Sequence, residues 1–334
     1  MKRYGNLFEI LSSFENLLLA SKKAQKGKRF KHSTSVFNLN LENELLCLQK
    51  ELQNQTYQIG GYKQFYIYDP KKRLISAAPY RDRVVQHALC NIIEPIFDRM
   101  FVYDSYACRK WKGCIKAVNR FTKFSRKNDY VLKCDVKSYF ASIDHEALWQ
   151  FILGKIKDKQ VLWLIRQIID STASPGIPIG NLASQIFANL YLNDFDHYLK
   201  EAVKCPYYLR YMDDLVVFGN DKNWLTEVKG LVRTKLIEIK LAMHEDKSQI
   251  YETRNGVPFL GYRIWPSHRL VLAQNIKRFK LRMKKYFKLL EKEVIHSQRI
   301  FASIQSWLGF VGHADSYTLR LMLAREFNLL RISL

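Results

Sequence analysis

The spacing of apolar residues divides the chain into helical and extended stretches. Leu7, Leu11 and Leu18 share one helical face, which predicts an amphipathic helix over residues 6–20. The same spacing predicts helices over residues 39–53, 81–100, 182–199, 224–241, 276–290, 299–312 and 316–330. Runs rich in β-branched and aromatic residues predict strands over 62–68, 73–77, 130–135, 207–211, 214–218 and 259–264. The pattern therefore predicts an α+β fold.

Charge separates this chain from an average globular protein. The 334 residues are 48% hydrophobic, and 54 Lys and Arg against 31 Asp and Glu give a net charge of +23. An excess of this size indicates a polyanionic partner, most often nucleic acid. A basic membrane-surface protein or a ribosomal-type structural protein would also fit. The length predicts about two domains.

The cysteines and the apolar stretches bear on the cellular compartment of the protein. The six cysteines form no Cys-x-x-Cys pair, which is typical of the reduced thiols of a cytosolic protein. No apolar stretch approaches the roughly 18 residues that a membrane span needs. Glu9 and Glu15 interrupt any signal-peptide core. We expect a cytoplasmic protein that does not contact a membrane.

Two cation clusters lie in the first part of the chain. Residues 21–32 hold six Lys or Arg and no acid, which is typical of a mobile basic arm. The hairpin over 62–77 carries a second group, Lys63, Lys71, Lys72 and Arg73. This group is either a solvated tip or a site that holds a triphosphate.

Two further cationic stretches are candidate nucleic-acid contacts. Residues 109–127 contain eight Lys or Arg and no acid. The helix over 276–290 has one apolar face and one almost wholly cationic face, which favours a nucleic-acid-facing helix over a basic membrane-surface helix. The predicted contacts are Arg109, Lys110, Lys112, Lys277, Arg278, Lys284 and Lys285.

Two adjacent acids interrupt the apolar run at 207–218. Asp213 and Asp214 fall at the bend of the predicted hairpin, where buried carboxylates would repel each other unless a cation neutralises them. An Asp-Asp turn open to water is the plain alternative. Asp135 ends another apolar strand and is the natural third ligand of a metal site.

The order of these features resembles the reverse transcriptases. Asp135, a Gly-Pro loop ending at Gly180, the Tyr211-Met-Asp-Asp214 box, Lys247 and Phe259-Leu-Gly261 follow one another as in that family. The resemblance implies a right-hand polymerase fold with fingers, a palm of antiparallel sheet plus helices, and a helical thumb. We predict an N-terminal helical and basic extension over 1–60, fingers and palm over 61–268, and a basic thumb over 269–334.

Three segments are similar to a narrower group, the reverse transcriptases of diversity-generating retroelements. They are Arg83-Val-Val-Gln-His-Ala, Asp104-Ser-Tyr-Ala-Cys-Arg109-Lys110 and Ile179-Gly-Asn-Leu-Ala-Ser-Gln185. Most reverse transcriptases have Gln-Gly and then Ser-Pro in the last segment. The resemblance implies a bacterial or phage-encoded enzyme that copies a template RNA into an RNA/cDNA duplex. It also implies a small, basic, oligomeric accessory protein as a partner.

The resemblance assigns roles to the acids. Nucleotidyl transfer needs charge neutralised at the attacking and leaving oxygens, which two Mg²⁺ ions can do, with Mn²⁺ as a substitute. Asp135 and Asp213 would hold both ions, with the main-chain carbonyl of Val136. Asp214 follows Asp213 directly, so we expect its side chain to point away and contribute less.

Further residues are expected to meet a deoxynucleoside triphosphate. Arg73, with Lys63 or Lys71, would hold its phosphates, and the ring of Phe140 would exclude a 2′-hydroxyl. Lys247 would protonate pyrophosphate or simply be solvated. Ile179, Gly180 and Gln185 would border the nucleotide. An aliphatic Ile179 cannot form the hydrogen bond of a glutamine, so we expect an error-prone polymerase. The resemblance implies that its errors are concentrated opposite template adenines.

Two other functions remain open. The first is another bacterial reverse transcriptase, of the retron, group II intron or phage-defence type. An intron-encoded protein would usually continue into maturase or endonuclease segments, whereas this sequence ends at Leu334. The second is an RNA-binding scaffold without catalytic activity. The three acids and the basic residues on the phosphate side favour an enzyme.

Overall fold

A computed structural model describes residues 2–68 and 72–327. The predicted turn at Asp69 and Pro70, together with Lys71, lies outside the described residues. The helices are α1 Phe8–Leu11, α2 Phe14–Ala24, α3 His32–Leu39, α4 Leu41–Gln53, α5 Tyr80–Asp98, α6 Cys114–Ser125, α7 Tyr139–Ser142, α8 His145–Leu153, α9 Lys159–Asp170, α10 Leu182–Tyr191, α11 Asn193–His197, α12 Lys222–Glu238, α13 Ala273–Glu291, α14 Ser297–Val311 and α15 Tyr317–Glu326. The strands are β1 Lys63–Ile67, β2 Arg73–Ala77, β3 Tyr130–Asp135, β4 Tyr208–Tyr211, β5 Asp214–Gly219, β6 Gln249–Glu252, β7 Val257–Phe259, β8 Tyr262–Ile264 and β9 Arg269–Val271.

An antiparallel sheet in the order β4-β5-β3-β6 forms the centre of the molecule. Both of its faces are covered. Leu215 and Val217 join the larger core beneath the helices, whereas Val216 and Phe218 join a second core beneath α6 and the β7-β8-β9 sheet. Because alternate residues enter different cores, the strand is apolar at almost every position.

The N-terminal residues differ from their prediction. The helix expected over 6–20 breaks between α1 and α2, where the Ser13 side chain accepts a hydrogen bond from the Asn16 amide. The stretch expected to be a mobile basic arm is partly helical, because α2 continues to Ala24 and α3 begins at His32. Leu17 and Leu45 are buried in the same core as α5, so these helices pack onto the rest of the protein.

The helix predicted over 182–199 also differs. It ends at Tyr191, and α11 and a π-helical turn over Tyr198–Ala202 follow. Asn181 lies at the N-terminus of α10 but makes no side-chain capping bond. Its buried amide has no hydrogen-bond partner within residues 2–68 and 72–327. The side chain of Asn181 therefore does not cap α10.

The last three helices form a small bundle. Phe279, Met283, Ile300, Ile304 and Leu323 are the buried residues of its core. Strand β9 pairs with β8, and the first helix of the bundle begins at Ala273. Within the described ranges no helix is both long and apolar enough to cross a membrane.

A fully buried ion pair lies beneath the β4-β5 turn. The Arg210 guanidinium donates to both carboxylate oxygens of Asp196, at 2.7 to 3.0 Å, and neither side chain is exposed. Its Nη1 also donates to the main-chain carbonyl of Met212 at 3.1 Å. Nearby anions keep the pKa of Arg210 above its usual value even though burial alone would lower it. The pair therefore ties α11 to the turn that carries Asp213.

Breaking this pair should destabilise the protein strongly. We expect Arg210→Met to lower the free energy of unfolding by about 3 to 5 kcal/mol, because the Asp196 carboxylate stays buried without its cation. Arg233, which pairs with Glu245 in solvent, is the matched control, and Arg233→Met should leave the free energy of unfolding nearly unchanged. Urea unfolding measures both. Equal losses in the two variants would contradict the role assigned to the buried pair.

Candidate active site

The paired acids lie where the predicted hairpin places them. β4 and β5 pair with Tyr211 opposite Asp214, and Met212 turns the chain with a φ of 57°. β3 pairs with β5 on the other side, and Asp135 lies directly opposite Asp214. Directly opposed residues on antiparallel strands have their side chains on the same face. The fold therefore brings together acids that are almost 80 residues apart in sequence.

Burial and mutual repulsion disfavour the ionised forms of the gathered aspartates. Burial raises the pKa of Asp214 to about 6, opposed by Lys133 and reinforced by Asp213 and Asp135. Burial likewise raises the pKa of Asp213, with Asp135 adding repulsion and Arg73 and Lys247 opposing it. A cation among these carboxyls would stabilise their ionised forms.

Asp214 was expected to contribute less than Asp213, with its side chain directed away. The structure places Asp214 in register with Asp135, where Lys133, Lys247 and the two other acids all affect its pKa. Lys133, two residues before Asp135, shares this environment, and burial lowers its pKa while the two acids oppose that shift. Sequence reasoning missed Lys133, although its position on the same strand face as Asp135 could have identified it.

A lysine ammonium neutralises Asp135 in this structure. Lys247 Nζ donates to the Asp135 carboxylate, and the lysine side chain is 44% exposed. Lys247 was predicted to contact the substrate or to be solvated; it lies inside the acidic cluster. The ion pair shows that a cation fits at Asp135.

The groups around Asp135 include oxygen donors of the kind that bind a divalent metal ion. In residues 2–68 and 72–327, no group of three His, Cys, Asp or Glu side chains is already gathered closely enough to hold one. The available donors are nevertheless carboxylate and carbonyl oxygens, which Mg²⁺ prefers. Val136 and Met243 form an isolated antiparallel bridge. Its main-chain bonds run from the His244 amide to the Asp135 carbonyl and from the Lys137 amide to the Ala242 carbonyl. The main-chain carbonyl of Val136 takes no part in these two bonds. The donors suit the ion, with Asp135 at present occupied by Lys247.

The β1-β2 hairpin meets this site through the loop before α10. The Ser76 amide donates to the carbonyl of Ile179 at 2.9 Å. Gly180 has a φ of 118°, and a Cβ there would lie 3.1 Å from the Ile75 side chain and 3.3 Å from the Ser76 carbonyl. Only glycine allows this approach without strain. The contact fixes the strand that carries Arg73.

The predicted phosphate ligands are placed unequally. Arg73 is exposed and close enough to lower the pKa of Asp213, although burial raises that pKa overall. Lys63 lies opposite Ala77, whereas Arg73 lies opposite Ile67. The two cations thus share a face but occupy opposite ends of the hairpin, roughly 13 Å apart along the strands. Arg73 is the better placed of the two.

The residues predicted around the nucleotide sugar and base surround the same loop. Phe140 belongs to α7, which follows Asp135 closely, and its carbonyl accepts from the Ile177 amide at 2.8 Å. Its ring is half-buried, as are Ile179 and Gln185. The bond between Ile177 and Phe140 therefore joins the loop before α10 to α7, the short helix that follows β3 and Asp135.

The predicted nucleic-acid contacts separate into two groups. The Arg109 guanidinium points inward, donating to the Asp98 carboxylate at 2.6 Å and to the carbonyls of Val102 and Ser105. This geometry favours a structural role for Arg109. The half-buried Lys112 side chain donates from Nζ to the Tyr103 carbonyl at 2.6 Å. Exposed side chains on α13 include Lys277, Lys284 and Lys285, and Arg278 is half-buried there.

The network beneath the turn was also missed from sequence. Arg210 bonds to Asp196 on α11 and to the side chain of Asn189 on α10. An arginine within an apolar strand is a usable signal, because a buried cation needs a partner. The identity of that partner depends on tertiary packing.

Known proteins resemble this chain in sequence. The protein YkfC of Escherichia coli is 26% identical over 309 residues, covering 77% of this chain and 80% of YkfC. The group II intron-encoded protein LtrA of Lactococcus lactis is 25% identical over 170 residues, which are 47% of this chain. That alignment spans only 28% of LtrA.

A solved structure resembles the fold. Apo telomerase from Candida tropicalis superposes with a TM-score of 0.52 at 14% identity, covering 63% of this chain and 48% of the telomerase chain. At this identity the likeness concerns the fold alone. It confirms the predicted right-hand polymerase fold.

A family model extends over the site itself. The model for reverse transcriptase (RNA-dependent DNA polymerase) matches residues 67–264, more than half of the chain. The matched range contains β2 with Arg73, the acids at the ends of β3 and β5, and the loop at Gly180. The chain therefore belongs to the reverse transcriptase (RNA-dependent DNA polymerase) family.

Proposed function

We propose that this protein copies a template RNA into cDNA for a diversity-generating retroelement, with errors concentrated opposite template adenines. The observation that carries the polymerase activity is the alignment of Asp135 opposite Asp214, with Asp213 at the adjoining turn and Arg73 within electrostatic reach. Family membership supports the same activity. The retroelement assignment is supported by the segment from Ile179 to Gln185.

The reaction joins a primer 3′-hydroxyl to the α-phosphate of a deoxynucleoside triphosphate and releases pyrophosphate. Asp135, Asp213, Asp214 and the Val136 carbonyl are the groups that would hold two Mg²⁺ or Mn²⁺ ions. Bound ions of this kind neutralise charge on the attacking and leaving oxygens. The protein's share of the work is to position the substrates beside these donors.

Two cationic side chains, Arg73 and Lys247, act on the phosphates of the nucleotide. Arg73 binds the β- and γ-phosphates, because its guanidinium can donate two parallel hydrogen bonds. Lys247 lies beside Asp135, so its Nζ can donate a proton to a pyrophosphate oxygen as it leaves. In the free enzyme the same ammonium neutralises Asp135. Phe140, fixed next to the loop through Ile177, lies beneath the sugar and excludes a 2′-hydroxyl.

Ile179 is the basis for low fidelity. Its carbonyl is engaged by Ser76, which leaves an aliphatic side chain to border the incoming nucleotide. Without a hydrogen-bonding side chain, the site tests base-pair geometry less strictly. The partners in this proposal are a structured template RNA, its cDNA duplex on the cationic face of α13, and a small basic accessory protein.

A second candidate is a reverse transcriptase of the group II intron type. The similarity to LtrA favours it, although that similarity covers 47% of this chain. A retroelement enzyme should be encoded beside a template repeat and a variable repeat, whereas an intron enzyme should be encoded within an intron. A third possibility is an RNA-binding scaffold without catalytic activity, which would retain RNA affinity but extend no primer.

Removal of one acid should abolish synthesis without unfolding the protein. We expect Asp213→Asn to reduce primer extension on an RNA template by roughly a hundredfold to a thousandfold or more. Its free energy of unfolding should not fall, because Asp213 is destabilised by burial and by Asp135. The exposed Asp194 provides the matched control, and Asp194→Asn should extend normally. Equal extension by wild type and Asp213→Asn would contradict the proposed site.

The retroelement assignment is tested by fidelity. We expect Ile179→Gln to lower the error frequency opposite template adenines by about tenfold, because a side-chain amide can then report base-pair geometry. Ile179→Val keeps an aliphatic side chain and should keep the wild-type error spectrum. Sequencing of cDNA made by the purified proteins gives both values. Equally low error rates in wild type and Ile179→Gln would leave the polymerase but remove the retroelement assignment.

A further inference from the structure

A second cleft, outside the active site, is lined by aromatic and cationic side chains. Its volume is about 460 Å³, and the residues that matter here are Tyr103, Trp111, Lys112, Lys116, Arg120 and Lys123. We propose that this cleft binds an unpaired segment of RNA, with bases stacked on the aromatic rings and phosphates on the cations. The inference rests on the proposed function, because it takes RNA as the partner.

Two large rings in this cleft face solvent. Trp111 is 78% exposed and Tyr103 is 70% exposed, although both residue types are usually well covered in folded proteins. Trp111 also has a φ of 63°, which is rare for a bulky residue and is maintained only by the surrounding structure. The chain thus holds an indole outward in a strained conformation.

The loop that presents these rings is fixed from within. Its Ser105 forms a bridge with Arg210 of β4. The Tyr106 amide donates to the Arg210 carbonyl at 2.9 Å, and the Arg109 guanidinium donates to the Ser105 carbonyl at 3.0 Å. Asn189 holds the Ala107 carbonyl at 2.8 Å. These bonds make the loop a preorganised platform rather than a mobile surface segment.

The charge of the cleft is positive. The nearby acid, Asp104, is buried and is already neutralised by Arg120 at 2.7 Å and Lys200 at 3.1 Å. Across the described part of the chain, neither Lys116 nor Lys123 has an acidic side chain within 4.0 Å. These ammonium groups are available to phosphates.

The combination favours an unpaired strand over other partners. Bases in a duplex are stacked on one another, so exposed rings would add little to duplex binding, whereas every unpaired base has a free face for stacking. A basic accessory protein would be repelled by the lysines. An acidic protein could use the charges, but it would have no bases to stack on Trp111.

The position of the cleft fits an RNA that is being copied. Strand β4 is at the edge of the central sheet, and the platform attaches there at Arg210, three residues before Asp213. β4 ends at Tyr211, and Met212 then turns the chain toward Asp213. The strand to which the platform attaches therefore leads directly into the turn that carries Asp213.

The test uses the full chain and a fluorescein-labelled 12-mer of oligouridylate as the probe, with anisotropy measured at several salt concentrations. We expect Trp111→Ala to weaken binding by about tenfold or more and to leave the salt dependence unchanged, because it removes stacking. Lys116→Ala should reduce the slope of log K against log salt by about 0.7, because it removes one phosphate contact.

Controls keep this result specific. Trp111→Phe should restore most of the affinity, and Tyr317→Ala should bind normally, since Tyr317 is 66% exposed but lies in the C-terminal bundle. Thermal unfolding shows whether each variant is folded. Equal affinity in wild type and Trp111→Ala overturns the proposal, as does competition by polyglutamate as strong as that by unlabelled RNA.

Primer extension by the wild-type protein separates the two proposals. Extension by wild type together with no loss of RNA affinity in Trp111→Ala would overturn the cleft and leave the polymerase. Loss of affinity in Trp111→Ala without any extension by wild type would support the cleft and overturn the polymerase.

Discussion

Repulsion among carboxylates at the end of the central sheet is the constraint on which the rest of the site depends. The register of β3 against β5 sets Asp135 opposite Asp214, and the adjoining turn adds Asp213. Burial raises the pKa of both Asp213 and Asp214, with neighbouring acids adding to the shift. Lysine and arginine side chains around them offset part of this cost. The arrangement is unfavourable for an isolated protein and favourable for one that binds cations and phosphates.

The rest of the fold holds these charges in place. The buried Arg210 guanidinium donates a hydrogen bond to the Met212 carbonyl, and its ion pair with Asp196 holds it in place. The loop at Gly180 passes close to β2 with a φ of 118°, so a larger residue there would be strained, and this contact fixes the hairpin bearing Arg73. Both Arg210 and Gly180 act through close contacts, so substitutions at either residue should displace the acids or Arg73. The outer edge of β4 carries the aromatic platform, so one strand links the acids to the proposed RNA cleft.

Sequence patterns predicted the meeting of the acids better than they predicted the ends of the helices. Asp135 and Asp213 were identifiable because an acid at the end of an apolar strand is unusual. The pairing of β3 and β4 with β5 then brings the acids together. The break between α1 and α2 and the end of α10 were missed, because helical periodicity continues through both. Arg109 was predicted to face nucleic acid because inward and outward cations look alike in a sequence. Only the packing around Asp98 separates them.

The proposed function requires Asp135, Asp213 and Asp214 to bind cations as one site. Titration of the protein with Mn²⁺, followed by the loss of the free-ion electron paramagnetic resonance signal in the presence of a deoxynucleoside triphosphate, tests it most directly. The account predicts binding by the wild type that weakens about tenfold or more in Asp135→Asn, since a lost oxygen ligand should cost at least as much as a lost supporting group. Unchanged Mn²⁺ affinity in Asp135→Asn would contradict it.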